Sequence, residues 1–432
     1  MLKIIALLCL LVITSAVSAK KLQLDITISK DAASSQWSVN YRFSENITAI
    51  NFEDTPYSFI ENDWLSQTSN SVLDLSTLQV NLHNASRHYS LKLKGENDQY
   101  ISGYYTPFLN FSDGSNALYI GHYLPSKVKS GEAWVDISDI TLTLTIDALK
   151  SGDLLFSGLN EVKNLQVSLS DAKQYAYIGN LASKAHDRFN LILDPMLPNW
   201  IQKAYLKAIP EFYNYYENST RAKLSFSPVF IVNFKPGNMR PRLDGGAINK
   251  QIAINIVGDG WEQSPEENLN NVLSLLAHEM AHLWNSQHWT LANTDQVWMS
   301  EGGANYFSRN ALLDFKYISR DEYIKNFKSQ ADTCIKALNG GSVNNLHYRS
   351  DAYVCGEVIY QLSALMIGAT NNLEVWNKIV SDGDVLNYSE KSFIQAFYKA
   401  KVNKADITSI ENILNGQNEN TLSELIKKYA GE

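Results

Sequence analysis

The sequence predicts an α+β chain with a β-sandwich-like N-terminal domain over residues 20–178, an α/β segment from residue 179, and a helical C-terminal part from about residue 291. Two observations carry that prediction. Apolar residues recur at every second position through the first half and at every third or fourth position through the last third, and the period changes near residue 180. With 432 residues, 45% hydrophobic and 19% charged, the chain is long enough for each part to bury its own core. Its 23 Tyr and 9 Trp argue against disorder.

The first residues, "MLKIIALLCLLVITSAVSAK", place Lys3 before an apolar run from Ile4 to Ile13, with small residues at Val17 and Ala19. This reads as a cleaved signal peptide, residues 1–19, because the apolar run is too short for a membrane span and no stop-transfer pattern follows. The expected mature protein is exported, periplasmic or extracellular, and has no transmembrane segment. Cys9 leaves with the signal, and Cys334 and Cys355 either pair or remain as buried free thiols. Two cysteines are too few for a thiolate-held metal. The net charge of −8 offers no basic surface for nucleic acid. Sequons at Asn46, Asn84, Asn110, Asn218 and Asn387 matter only in a host that glycosylates exported proteins.

Each element follows from its period. Leu22, Leu24, Ile26 and Ile28 alternate with polar residues, as do Trp37, Val39, Tyr41 and Phe43, and then Ile140, Leu142, Leu144 and Ile146. These are strands of antiparallel sheet with one wet face. Beyond residue 180, "PNWIQKAYLKAIPEFYNYYEN" reads as a helix and "KLSFSPVFIVNF" as a strand. "KQIAINIV" is a second strand, with Ile252, Ile254 and Ile256 on one face. In "SPEENLNNVLSLLAHEMAHLW", Ser264 is the expected N-cap, Pro265 the first helical residue and Glu267 the closing member of a capping box. Leu269, Val272, Leu273, Leu276, Met280 and Leu283 form the apolar stripe of that helix. Another helix starts near Gln296, a capping box from Ser319 to Glu322 opens the next, and amphipathic helices continue to Glu432. The chain shows no internal repeat and no low-complexity tract.

The chemistry lies in "AHEMAHLWN", residues 277–285. Positions i and i+4 share a helix face, so His278 and His282 can bring two imidazole nitrogens to one Zn2+ ion per chain. Glu279 lies beside that face and is the expected general base. A catalytic zinc needs a third protein ligand and an open position. Glu301, in "WMSEGGANYF", follows His282 after eighteen residues, enough for a helix end, a loop and the first turn of a returning helix. Asn305, four residues on, either orients a ligand or simply packs. The remaining histidines, His83, His88, His122, His186, His288 and His347, have no partners at ligand spacing.

With His278, Glu279, His282, Trp284, Asn285 and the "WMSEGGANY" run in hand, the chain resembles the gluzincin metallopeptidases of the aminopeptidase N and glycyl aminopeptidase types. The motifs cover about residues 180–370. The resemblance implies a thermolysin-like α/β catalytic domain over 179–432, including its helical end, and hydrolysis of a peptide or protein substrate. It also implies a tyrosine that steadies the oxyanion. Tyr353, with Gly356 in "DAYVCGEV", is the expected donor, and Tyr348 is its rival. One departure matters: where the family carries a glutamate that grips the substrate's free amine, "GGAIN" has Ile248. Gly245, Gly246 and Ala247 remain as expected substrate-binding residues on that strand, and Asp244 is the nearest acid that could replace the missing one. The activity implied is that of an aminopeptidase with relaxed need for a free amino terminus, or else an endopeptidase of the same fold. A peptide-binding protein that keeps zinc without useful turnover is the rival of another class.

Overall fold

Alternation in the first half builds the strands it predicts. The structure is a computed structural model that describes residues 21–31, 36–66, 69, 71–95, 101, 104–147, 153–156, 159–160, 164–181, 184–262, 265–339, 341–369, 373–381, 386–416 and 421–430. The expected signal peptide and the N-cap Ser264 lie outside those residues. Eight strands carry the architecture of the N-terminal half: β1 (Gln23–Lys30), β2 (Trp37–Asn51), β3 (Gln79–Leu93), β4 (Phe108–Asn110), β5 (Asn116–Tyr119), β6 (Thr141–Asp147), β7 (Asp153–Phe156) and β8 (Tyr175–Gly179). In an outer sheet, β1 pairs antiparallel with β2, setting Ile26 opposite Tyr41 and Ile28 opposite Val39, and parallel with β6. Strands β7, β8, β5 and β4, with a short strand at Leu159–Asn160, make a second sheet.

This second sheet departs from the expected one wet face. Phe108, Leu118, Phe156, Ala176 and Ile178 point into a core shared with Leu24, Ile26, Val39 and Leu142 of the outer sheet. Their neighbours Leu109, Ala117, Tyr119, Leu155, Tyr175 and Tyr177 point the other way, into a core shared with Ile192, Val229, Ile231 and Ala253. Those last four belong to a third sheet, made by β9 (Phe189–Leu193), β10 (Val229–Lys235), β11 (Arg242–Ile248) and β12 (Gln251–Val257) with a short strand at Lys184–His186. The middle sheet is therefore buried on both faces. Asp194 reinforces the junction, accepting from the Ser112 backbone N–H at 3.0 Å, the Ser112 hydroxyl and the Phe234 N–H.

The third sheet runs in the order β9, β10, β12, β11, parallel from β9 to β12 and closed by β11 as an antiparallel edge. Ile252, Ile254 and Ile256 share a face, as expected, and pack on the helices. The strand expected over 223–234 is shorter. It begins at Val229, because Pro228 has no N–H to give a ladder and its carbonyl instead receives Asn190.

Helices cover the other side of this sheet: α1 (Asn199–Thr220), α2 (Pro265–His282), α3 (Val297–Asp314), α4 (Arg320–Leu338) and α5 (Arg349–Met366). The predicted stripe of α2 is buried at Val272, Leu273, Leu276, Met280 and Leu283. The Ser319–Glu322 capping box at the start of α4 is present in both directions. Shorter helices at Glu374–Ile379, Glu390–Lys399, Lys404–Asn415 and Thr421–Ala430 complete the helical end. Cys334 and Cys355 are paired, tying α4 to α5. Where α3 crosses α5, Gly302 meets Gly356 backbone to backbone, and a Cβ on either would collide with the other helix. That contact sets how close α5 comes to Glu301. The expected fold class, an α+β chain with a β-sandwich-like front and a helical end, is the one observed.

Candidate active site

Helix α2 and helix α3 place three ligand atoms around one point. His278 Nε2 lies 3.2 Å from His282 Nε2, and the Glu301 Oε2 oxygen lies 3.3 Å from the first and 3.1 Å from the second. His282 is buried and the other two are nearly so. Immediately after His282 the helix widens into a π turn, Leu283–His288, and this turn carries Asn285 back under the histidine.

The opposite ring nitrogens decide which tautomer faces the site. His278 Nδ1 is 2.8 Å from Asn305 Oδ1, and His282 Nδ1 is 3.1 Å from Asn285 Oδ1. Both amide oxygens are oriented by other bonds, since Asn285 Nδ2 donates to the Ser300 carbonyl at 2.7 Å and Asn305 Nδ2 to the Tyr353 carbonyl at 3.5 Å. An amide oxygen only accepts, so each imidazole donates from Nδ1 and its neutral form turns a bare Nε2 lone pair inward. Burial opposes ionisation of Glu301, but charge on His282 and His278, and hydrogen bonds from them, outweigh burial and hold its carboxyl well below the usual range. With both imidazoles in the neutral form instead, two nitrogen lone pairs and a carboxylate oxygen converge with no proton between them.

That set fits zinc. Bonds of about 2.0–2.1 Å at tetrahedral angles put ligand atoms about 3.3 Å apart, and the three observed separations are 3.1–3.3 Å. His278, His282 and Glu301 are the residues that would hold the ion. Among the described residues they are the group of this kind with geometry suited to a metal.

Glu279 is buried beside them. Burial pushes its carboxyl up to about 7; Glu301 adds to the rise, while His278 and a bond from the Ala247 N–H oppose it. Such a group can take a proton and give one back near neutral pH. Tyr353 stacks its ring on His278 with centroids 5.9 Å apart and planes 11° from parallel. Burial and Glu301 raise its hydroxyl pKa, Arg349 opposing, so it stays a donor. Tyr348, its rival, is 63% exposed and lies off the pocket wall.

The pocket holds about 810 Å³ and is walled by both halves of the chain. Gly245, Gly246 and Ala247 line it along the edge strand β11. Tyr105, from the N-terminal half, crosses that strand and donates to the Ala247 carbonyl at 3.0 Å. Gly246 lets it pass, because a Cβ there would sit 2.6 Å from the Tyr105 ring. With the Ala247 N–H directed to Glu279 and its carbonyl to Tyr105, the next outward-facing backbone groups on this edge are those of Gly245. Ile248 points away, packing against the core between the second and third sheets. Asp244 lines the pocket, but its Oδ2 accepts from Arg242 Nε at 2.8 Å and Asn255 Nδ2 at 3.4 Å.

Asn285 was read from the sequence as a matching residue but given no role, although it stands three residues after His282 on the same face. Two participants were not read, and of these Arg349 had a signal, four before Tyr353. Tyr105 had none, for it stands 142 residues from Ala247.

Comparison with family models and with curated protein sequences finds no match. Solved structures do match. An aminopeptidase N family protein from Idiomarina loihiensis aligns over 95% of this chain and 74% of its own, with a TM-score of 0.56 and 15% identity. Yeast LTA4 hydrolase in complex with bestatin aligns over 93% and 69%, with a TM-score of 0.52 and 14% identity. Native yeast LTA4 hydrolase aligns over 96% and 72%, also at 0.52, with 13% identity. At such identities the likeness is one of fold, and it extends over nearly the whole chain.

Proposed function

We propose that the chain is an exported, zinc-dependent metallopeptidase acting on peptide or protein substrates, an aminopeptidase with relaxed need for a free amino terminus. The observation that carries this reading is the convergence of His278, His282 and Glu301 on one point, with the buried Glu279 beside them. Zinc in that position would supply Lewis acidity and a water acidified to near neutral pH. Glu279 takes the proton from the attacking water and hands it to the leaving amine. Asn285 and Asn305 hold the two imidazoles in the tautomer that leaves Nε2 bare. Tyr353 donates to the oxyanion as it forms. Export is read from the first nineteen residues alone, and no described helix is long and apolar enough to cross a membrane.

Tyr353→Phe removes one hydroxyl and leaves the ring stacked on His278. A lost oxyanion donor costs about 100-fold or more in kcat, and KM should change little. Tyr348→Phe, at an exposed ring, should match wild type. Activity in the first variant and loss in the second would move the role to Tyr348.

The need for an amine is tested with matched peptides, free and acetylated at the N-terminus. A buried carboxylate partner for the ammonium would separate their kcat/KM by about 100-fold or more. Ile248 faces a core and Asp244 is already paired, so the expected ratio is below about tenfold. Equal cleavage of both favours the endopeptidase reading, which those same two residues support. A large preference for the free form that survives Asp244→Asn would mean that another group binds the amine, and cleavage of neither would overturn the proposal.

A further inference from the structure

Among the described residues, Arg349 is the one cationic arginine or lysine on the pocket wall. It opens helix α5, one turn before Tyr353, and its Nη2 lies 2.9 Å from Glu301 Oε1. The two oxygens of Glu301 therefore have different partners. Oε2 faces His278 and His282, and Oε1 faces the guanidinium. The Tyr353 hydroxyl is within hydrogen-bonding reach of both this guanidinium and the Glu301 carboxylate, so Arg349 also orients the second group that touches Glu301. The close crossing of α3 and α5 at Gly302 and Gly356 brings the start of α5 to Glu301, and the disulfide ties α5 to α4.

We infer that Arg349 is a positioning residue that restricts Glu301 to ligation through one oxygen, so that a metal held by His278, His282 and Glu301 keeps its fourth position open. This inference rests on the metallopeptidase reading. A carboxylate with both oxygens free can swing to grip an ion with both, which raises the coordination number and occupies the place where water must bind. A guanidinium on Oε1 opposes that swing, since a charge-assisted N–H···O bond of 2.9 Å already engages the second oxygen. The side chain of Arg349 is 59% exposed, so the pair adds little to stability. Its effect falls on ligand geometry.

The test compares wild type with Arg349→Ala, Arg349→Gln and Arg349→Lys, each loaded with cobalt(II) in place of zinc. Four-coordinate cobalt(II) absorbs visible light several-fold more strongly than five-coordinate cobalt(II), so the spectrum reports the coordination number apart from activity. Wild type should show the intense band. The Ala and Gln variants should show it weakened, with kcat of the zinc form down by about 10- to 100-fold and KM nearly unchanged, and Lys should restore part of both. Thermal midpoints should stay together, and if the Ala variant fails to fold, Gln and Lys carry the comparison. Wild-type spectrum and kcat in all three variants would overturn the positioning role and leave the metal site standing. A wild-type protein that takes up no metal would overturn both.

Discussion

His282→Ala and Glu301→Ala are expected to purify without zinc and without peptidase activity. In the proposed site each removes one of only three residues that would hold the ion. Four-ligand structural zinc sites bind with about 10–16 kcal/mol, so one ligand is worth on the order of 3 kcal/mol, more than a hundredfold in Kd. The fold should survive, because these polar residues meet at the ends of α2 and α3 while the stripe beneath them, Leu273, Leu276 and Met280, is untouched. Thermal unfolding supplies a second reading. Wild type at about 100 times its zinc Kd gains about 2.7 kcal/mol from binding, and the variants at the same concentration should gain almost none. Zinc measured after dialysis, together with the thermal midpoint with and without added zinc, checks both statements. Stoichiometric zinc retained by either variant would remove that residue from the site.

How far the sequence reaches depends on whether a residue's partners are near in the chain. His278 and His282 were legible because a helix converts a spacing of four into one face, and Glu301 because a single loop returns the chain to that face. The apolar stripe of α2 and the capping box of α4 are local patterns and were read whole. The middle sheet was not. "NALY" and "YAYIG", residues 116–119 and 175–179, are buried on both faces and so lack the alternation that marks a strand with one wet side. Nothing near Tyr105 in sequence shows that its ring must cross Gly246. The shortened strand after Pro228 was legible in principle, since the residue type forbids the ladder bond.

The departure at Ile248 acquires a physical reason from that same stacking. The third sheet packs its second face on the middle sheet, and the half-buried Ile248 side chain packs against that contact, as Tyr105 and Leu181 also do. A glutamate at 248 would place its charge against that apolar layer, away from the pocket, where no bound ammonium offsets the cost. Docking of the N-terminal half therefore supplies a wall of the pocket and holds Ile248 in a core away from it.

Glu279→Gln is expected to lower kcat by about 10²- to 10⁴-fold, the range that a positioned general base contributes, while zinc content stays at one per chain. Glutamine has nearly the same shape, and its amide oxygen can still accept from the Ala247 N–H that now reaches Glu279. The thermal midpoint should not fall, since the substitution leaves no cavity and replaces a buried acid whose charged form burial disfavours. What glutamine cannot do is hold a proton between attack and departure of the amine. Both halves of the reaction lose their carrier, so kcat and kcat/KM should drop together while substrate affinity remains. Measured side by side with His282→Ala, the variant separates the two duties of this helix: loss of metal in one and loss of proton transfer in the other. A Glu279→Gln protein that keeps its zinc and hydrolyses peptides at the wild-type rate would exclude Glu279 as the base.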